Sequence, residues 1–202
     1  MWDKYQKTLN SETNFSGIGL HSGAKVDVTL IPGNSNSGII FKRTDLEKDN
    51  EIVANFKNVS SAKLCTKIEN KHGTSVSTIE HLLAAFYVCG IDNIIVNLNG
   101  PEVPIMDGSA KEFVKIINEV GLKTLEGKRK FVRVKKSVEL KKEDGRTISV
   151  KPSSQTFDVK FTLNYKKNPL IKTQINKINF AEKNLEEIVV ARTFCLFEDI
   201  EM

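Results

Sequence analysis

Thr74-Ser-Val-Ser-Thr-Ile-Glu-His-Leu-Leu-Ala-Ala-Phe-Tyr-Val-Cys-Gly90 passes from a polar run into a strongly apolar one, with a carboxylate and an imidazole adjacent at the change. Ser77 and Glu80 have the Ser-x-x-Glu spacing of a capping box, in which each side chain satisfies a free backbone N–H of a new helix. That spacing predicts a helix starting at Ser77. Ile79, Leu82, Leu83, Phe86 and Val88, with Ala84 and Ala85 between them, cover more than one helical face, so burial on several sides is expected. Gly90 is the expected left-handed cap.

Two readings of Glu80 and His81 follow from these residues. In one, Glu80 is half of the capping box and His81 is a partly buried, hydrogen-bonded ring. In the other, His81 binds a metal while Glu80 takes a proton from water, which requires a neutral imidazole beside a carboxylate. Spacing alone leaves both open.

On the N-terminal side, Phe15-Ser-Gly-Ile-Gly-Leu-His-Ser-Gly23 reads as a strand entering a tight loop, where glycines serve either a turn or a close backbone approach. Residues 25–31 alternate with period two and stop at Pro32-Gly33. Residues 38–44 are the expected antiparallel partner in a hairpin. Shorter strands are expected over 51–56 and 64–68. On the C-terminal side, residues 92–98 form a β-branched strand. Pro101-Glu-Val-Pro-Ile-Met-Asp-Gly108 is a loop stiffened by two prolines, in which Asp107 organises nearby backbone N–H groups. Ser109 and Glu112 repeat the capping spacing before a second helix that carries Phe113, Val114, Ile116, Ile117 and Val120 and ends at Gly121.

Composition changes at Gly127-Lys-Arg-Lys130, which sets an expected boundary between a first α+β domain, 1–126, and a second, 127–202. Strands are expected over 131–140, 146–150 and 157–165, with a turn at Asp144-Gly145. Asn184-x-x-Glu187 opens a third, short helix over 185–190. The second domain is expected to lack at least one strand and one long helix relative to the first.

The 202 residues, 40% hydrophobic, suffice for one sizeable core or two small ones and exclude a disordered chain. The net charge of +5 forms no continuous basic block, and no aromatic platform lies between the charges, which argues against a nucleic-acid module. Cys65, Cys89 and Cys195 show no paired spacing, as expected in a reducing cytoplasm. No apolar run has the length of a membrane span, so no stable membrane insertion is expected.

Ser16-Gly-Ile-Gly-Leu-His-Ser-Gly23, Ser77-Thr-Ile-Glu-His81, Gly90-Ile-Asp-Asn-Ile94, Pro101-Glu-Val-Pro-Ile-Met-Asp-Gly-Ser-Ala110 and Ala191-Arg-Thr-Phe194, in that order, resemble the UDP-3-O-acyl-N-acetylglucosamine deacetylases, zinc enzymes of lipid A synthesis. The resemblance implies two similar two-layer α/β sandwich domains with the active site between them, the second incomplete here. It implies hydrolysis of the 2-acetamido group of UDP-3-O-acyl-N-acetylglucosamine, releasing acetate, by a cytoplasmic enzyme that is monomeric at full length. Residue by residue, it makes His81 a ligand of Zn2+, Glu80 the general base and Thr193 a hydroxyl that helps hold the oxyanion. His21, Cys65, Tyr165 and Phe194 become substrate contacts.

The departure from the family pattern concerns the metal. The resemblance implies two further zinc ligands from a His-x-x-x-Asp helix, and a histidine acting as acid beyond it. The three histidines here, His21, His72 and His81, do not have that spacing. The 202-residue chain is therefore expected to be a truncated member, inactive by itself. The alternative from another class is a non-catalytic UDP-sugar-binding fragment.

Overall fold

The computed structural model describes residues 3–154, 157–165, 168–180 and 185–196. It is a mixed α and β structure of the α+β kind, and its described residues divide into two compact units. The larger comprises residues 3–129 and, after the chain leaves and returns, residues from 186 onward. The smaller lies within 130–185.

The larger unit begins with β1 (Tyr5–Leu9), β2 (Thr13–Ile18), β3 (Lys25–Pro32), β4 (Ile39–Arg43) and β5 (Glu51–Val53). A single 3₁₀ turn over Phe56–Asn58 leads to three short strands, β6 (Val59–Ser61), β7 (Lys67–Glu69) and β8 (Ser75–Val76). Next come α1 (Glu80–Cys89), β9 (Ile94–Leu98), α2 (Lys111–Val120) and β10 (Leu122–Lys128). The main sheet has the order β2-β3-β9-β4-β5; β6-β7-β8 form a second sheet and β1-β10 a third.

The expected hairpin of residues 25–31 with 38–44 does not form. β9 lies between β3 and β4, antiparallel to the first and parallel to the second. The reason is hydrophobic: Ile94, Val96 and Leu98 are completely buried, and a strand this apolar is best placed at the centre of the sheet. β3 keeps the expected alternation, with Val26, Val28 and Leu30 inward.

One core joins this sheet to both long helices. Ile79, Leu82, Ala85 and Phe86 meet Phe113 and Ile117 within the same buried cluster, while Phe15 meets the Phe113 ring edge-on at 5.4 Å. Each large side chain so buried contributes roughly 1.5–3 kcal/mol, enough to fix where the helices lie regardless of their capping. Gly90 ends α1 in the left-handed conformation, φ 76° and ψ 31°, as expected. The unit closes where β10 pairs antiparallel with β1, after which Arg129 Nε donates to both Asp92 carboxylate oxygens at 2.8 and 2.9 Å.

The helix starts differ from expectation. α1 begins at Glu80, because Ser77 remains extended, bridged in parallel to Glu102, and its hydroxyl donates to the Pro101 carbonyl at 3.2 Å. There is no capping box. α2 begins at Lys111; Ser109 Oγ accepts from the Lys111 N–H at 3.1 Å and donates to Asp107 Oδ1 at 2.7 Å, and neither end of α2 uses the Ser109–Glu112 pair. In both cases a nearer partner captures the serine hydroxyl.

The smaller unit contains two hairpins, β11 (Val138–Lys141) with β12 (Thr147–Val150), and β13 (Asp158–Tyr165) with β14 (Lys172–Asn179). The expected turn at Asp144-Gly145 is present, with Gly145 at φ 87° and Asp144 Oδ1 accepting from the Arg146 N–H at 3.0 Å. Phe157 and Phe180 stack at 5.1 Å across the open end of the second hairpin. α3 (Glu186–Val189) follows; Asn184, its expected cap, lies outside the described residues. Among the described residues no helix is long and apolar enough to cross a membrane.

Cys89, at the end of α1, has its thiol pushed up to about 11 by burial, whereas Cys195 is exposed. Alkylation of the folded protein at about pH 8 should label Cys195 quickly and leave Cys89 unmodified, because the thiolate is the reactive species. Mass mapping that finds Cys89 labelled at a similar rate would contradict the packing described for α1.

Candidate functional site

Three segments of the larger unit that carry sequence-predicted residues are held by one loop, residues 101–109. The glycine-bearing loop supplies His21, the turn before α1 supplies Glu80 and His81, and the segment after α3 supplies Thr193. Each makes hydrogen bonds to the 101–109 loop directly or through an adjacent residue.

Glu102 forms the first connection. It is 1% exposed, and its carboxylate accepts from the His21 N–H at 3.0 and 3.2 Å, from the Ser22 N–H at 2.8 Å and from the Thr78 hydroxyl at 2.8 Å. Burial raises the energy of such a carboxylate, but the donors from His21, Ser22 and Thr78 outweigh it and hold its pKa below the ordinary 4.5. Sequence reading missed Glu102. The available signal was an acid inside the otherwise apolar run Pro101-Glu-Val-Pro-Ile-Met106, which has to find donors if it is buried.

The 101–109 loop also explains two of the glycines. A Cβ on Gly19 would collide with Ser22 Oγ and lie 2.5 Å from Glu102 Oε2, and one on Gly17 would lie 2.8 Å from Pro104 Cβ. The close approach they permit is to the 101–109 loop. The His21 and Ser22 N–H groups, which could otherwise form an anion-binding nest, point at an internal carboxylate instead. The His21 residue itself is exposed.

The second connection runs through Thr78, which is buried and has φ 56°, a left-handed conformation uncommon for a β-branched residue. Such a backbone costs about 1–3 kcal/mol, and a hydrogen bond to a charged group returns about 1.5–3 kcal/mol. These are comparable in size, so the bond to Glu102 offsets the strain of the turn. The turn in turn sets the direction in which Ile79 and Glu80 enter α1.

Glu80 is half-buried, and its Oε2 accepts from the Thr66 N–H at 3.0 Å. Its other oxygen accepts no hydrogen bond among the described residues. The carboxylate is therefore pinned on one side and available on the other, and it has no capping duty. His81, next on the helix, is half-buried. Cys65 is half-buried and precedes Thr66, so the structure brings it to the Glu80 side of the site.

The third connection is at the far end of the loop. Asp107 behaves as its sequence reading requires: Oδ1 accepts from the Ser109 N–H at 3.0 Å, and Oδ2 lies 3.4 Å from Arg192 Nη2. Gly108 O accepts from the Thr193 N–H at 3.0 Å, and Val189 O accepts from the Ala110 N–H at 3.1 Å. Thr193 and Phe194 are exposed at this edge, Phe194 by 50%. Tyr165 ends β13 in the smaller unit, half-buried.

Among the described residues no group of three His, Cys, Asp or Glu side chains could hold a metal ion. A catalytic zinc takes three protein ligands plus water. His81 with its neighbours therefore does not fit a zinc by itself.

The chain as a whole is similar to known proteins. Residues 6–202 match the family model for UDP-3-O-acyl N-acetylglycosamine deacetylase. A UDP-3-O-acyl-N-acetylglucosamine deacetylase from Wigglesworthia glossinidia brevipalpis is 42% identical over 200 residues, covering 97% of this chain and 66% of its own length. One from Geotalea uraniireducens is 43% identical over 198 residues, with 98% and 63% covered, and one from Sodalis glossinidius is 41% identical over 199, with 97% and 64%. The chain thus spans somewhat less than two thirds of the length of the curated relatives it matches.

Two outcomes test the Glu102 node. Gly19→Ala should destabilise the fold by about 1–3 kcal/mol, the usual cost of overpacking, in denaturant unfolding. Because the Glu102 pKa is depressed, its contribution is fully present above 4.5 and is lost as pH falls through its folded value. Glu102→Gln should accordingly flatten the acid limb of the stability curve, and an unchanged limb would show that the carboxylate is not the titrating group.

Proposed function

Because the chain belongs to the UDP-3-O-acyl N-acetylglycosamine deacetylase family, we propose that it carries the base side of a site for hydrolysing the 2-acetamido group of UDP-3-O-acyl-N-acetylglucosamine. Water adds to the amide carbonyl, the C–N bond breaks, and acetate and the free amine leave. The step belongs to lipid A biosynthesis. Substrate and activity are those of the whole protein.

The observation that carries this reading is the state of Glu80. A general base must be held firmly yet keep an oxygen free for the proton it accepts. Glu80 is consistent with both conditions, with Oε2 on the Thr66 N–H and no hydrogen bond to Oε1 among the described residues. Had it formed the expected capping box, its carboxylate would have been spent on the helix start.

The other roles are proposed from the family motifs. Thr193, exposed and tied through its N–H to Gly108 O, offers a hydroxyl that can donate to the oxyanion formed at the amide carbonyl. His21, Cys65, Phe194 and, in the smaller unit, Tyr165 are the proposed substrate contacts. His81 is the proposed ligand for a Zn2+ whose further ligands would come from outside the described residues.

The direct test is Glu80→Gln in a chain of the relatives' full length, assayed on UDP-3-O-acyl-N-acetylglucosamine. Gln retains an oxygen for the Thr66 N–H and loses only basicity, so kcat should fall about 10²- to 10⁴-fold with the fold unchanged. Retained activity would remove Glu80 as the base. Saturable UDP-sugar binding in this chain with no such dependence would support a binding fragment instead.

A further inference from the structure

We propose that Glu102 is the positioning residue of this site: its buried carboxylate holds Thr78 in the left-handed turn that aims Glu80 and His81, and clasps the 19–22 backbone against the same point. The catalytic side of the inference rests on Glu80 acting as base; the positioning itself does not.

The geometry calls for an acceptor with no donor of its own. Two backbone N–H groups and one hydroxyl converge on the two oxygens of Glu102. An amide in the same place would turn an NH₂ toward at least one of these donors, setting donor against donor. The residue is also built into the backbone it controls, since Ser77 N–H donates to Pro101 O at 2.9 Å and Val103 N–H to Ser77 O at 3.1 Å on either side of it. The loop cannot shift without moving the turn. Gly19 leaves the space into which the carboxylate fits, and any side chain there would displace it.

From Thr78 the path to the proposed base is two residues long. Thr78 sets the turn, Ile79 is anchored in the core, and Glu80 reaches back to the Thr66 N–H. The Thr66 amide is therefore a reporter of where Glu80 points, and the His21 and Ser22 amides report whether Glu102 still holds the glycine loop. The paired amides of the β3–β9 ladder report the fold as a whole.

Amide hydrogen exchange by NMR on this chain tests the proposal without any turnover, so its result is independent of whether the deacetylase reading stands. Thr78→Val removes the hydroxyl and keeps the shape. It should lower protection of the Thr66 amide about tenfold and move the His81 ring resonances, while His21, Ser22 and the β3–β9 ladder stay within about twofold. Thr78→Ser should restore the native pattern. Glu102→Gln should lower Thr66, His21 and Ser22 together. The proposal is overturned if Thr78→Val leaves Thr66 unchanged, or if the ladder loses protection in step with it, since either result reduces Glu102 to ordinary fold stability. If Glu102→Gln does not fold, the Thr78 pair alone decides.

Discussion

A carboxylate shut away from water has to be surrounded by donors, and in this protein that requirement organises the chemistry-bearing part of the molecule. Glu102 is 1% exposed and is satisfied by groups from two segments far apart in sequence, the glycine loop and the turn before α1. Hydrophobic burial fixes the helices against the sheet, but it is non-directional and cannot specify where a side chain at a helix start points. The directional contacts at Glu102, with the core anchoring Ile79, provide that specification.

The loop that bears Glu102 works at both ends. Its beginning holds the approach to Glu80 and His81, while its end, through Asp107 and Gly108, receives the chain again at Arg192 and Thr193, about 85 residues later in the sequence. Two prolines stiffen the span between. The proposed base, Glu80, and the proposed oxyanion donor, Thr193, distant in sequence, are thus referred to one short segment, the arrangement needed when reacting groups must keep a fixed geometry.

Several of these elements could be read from sequence because their causes are local. Period-two alternation identified β3, Gly90 marked the end of α1, and Asp107 beside Ser109 indicated an organised loop. The misreading at the start of α1 has a different cause. Ser77 and Glu80 have the spacing of a cap, yet the Pro101 carbonyl takes the serine hydroxyl and the Thr66 N–H takes the carboxylate. Both competitors are remote in sequence. Glu102 was overlooked for the same reason, since its donors lie about 24 and 80 residues away. For the family itself the sequence motifs were sufficient, and the match over residues 6–202 agrees with them.

The placement of β9 between β3 and β4 bears on how the molecule assembles. During synthesis both flanking strands emerge well before residues 94–98; β3 can pair with β2 and β4 with β5, but the edge that each turns toward β9 stays unpaired until those residues arrive. The nascent polypeptide must keep two apolar ribbons apart across an interval of more than fifty residues, a delay that slows closure and exposes unpaired backbone to wrong partners. The charged and polar stretch from Asp45 to Asn50 follows β4 within that interval, where its charges disfavour aggregation through the strand's unpaired edge.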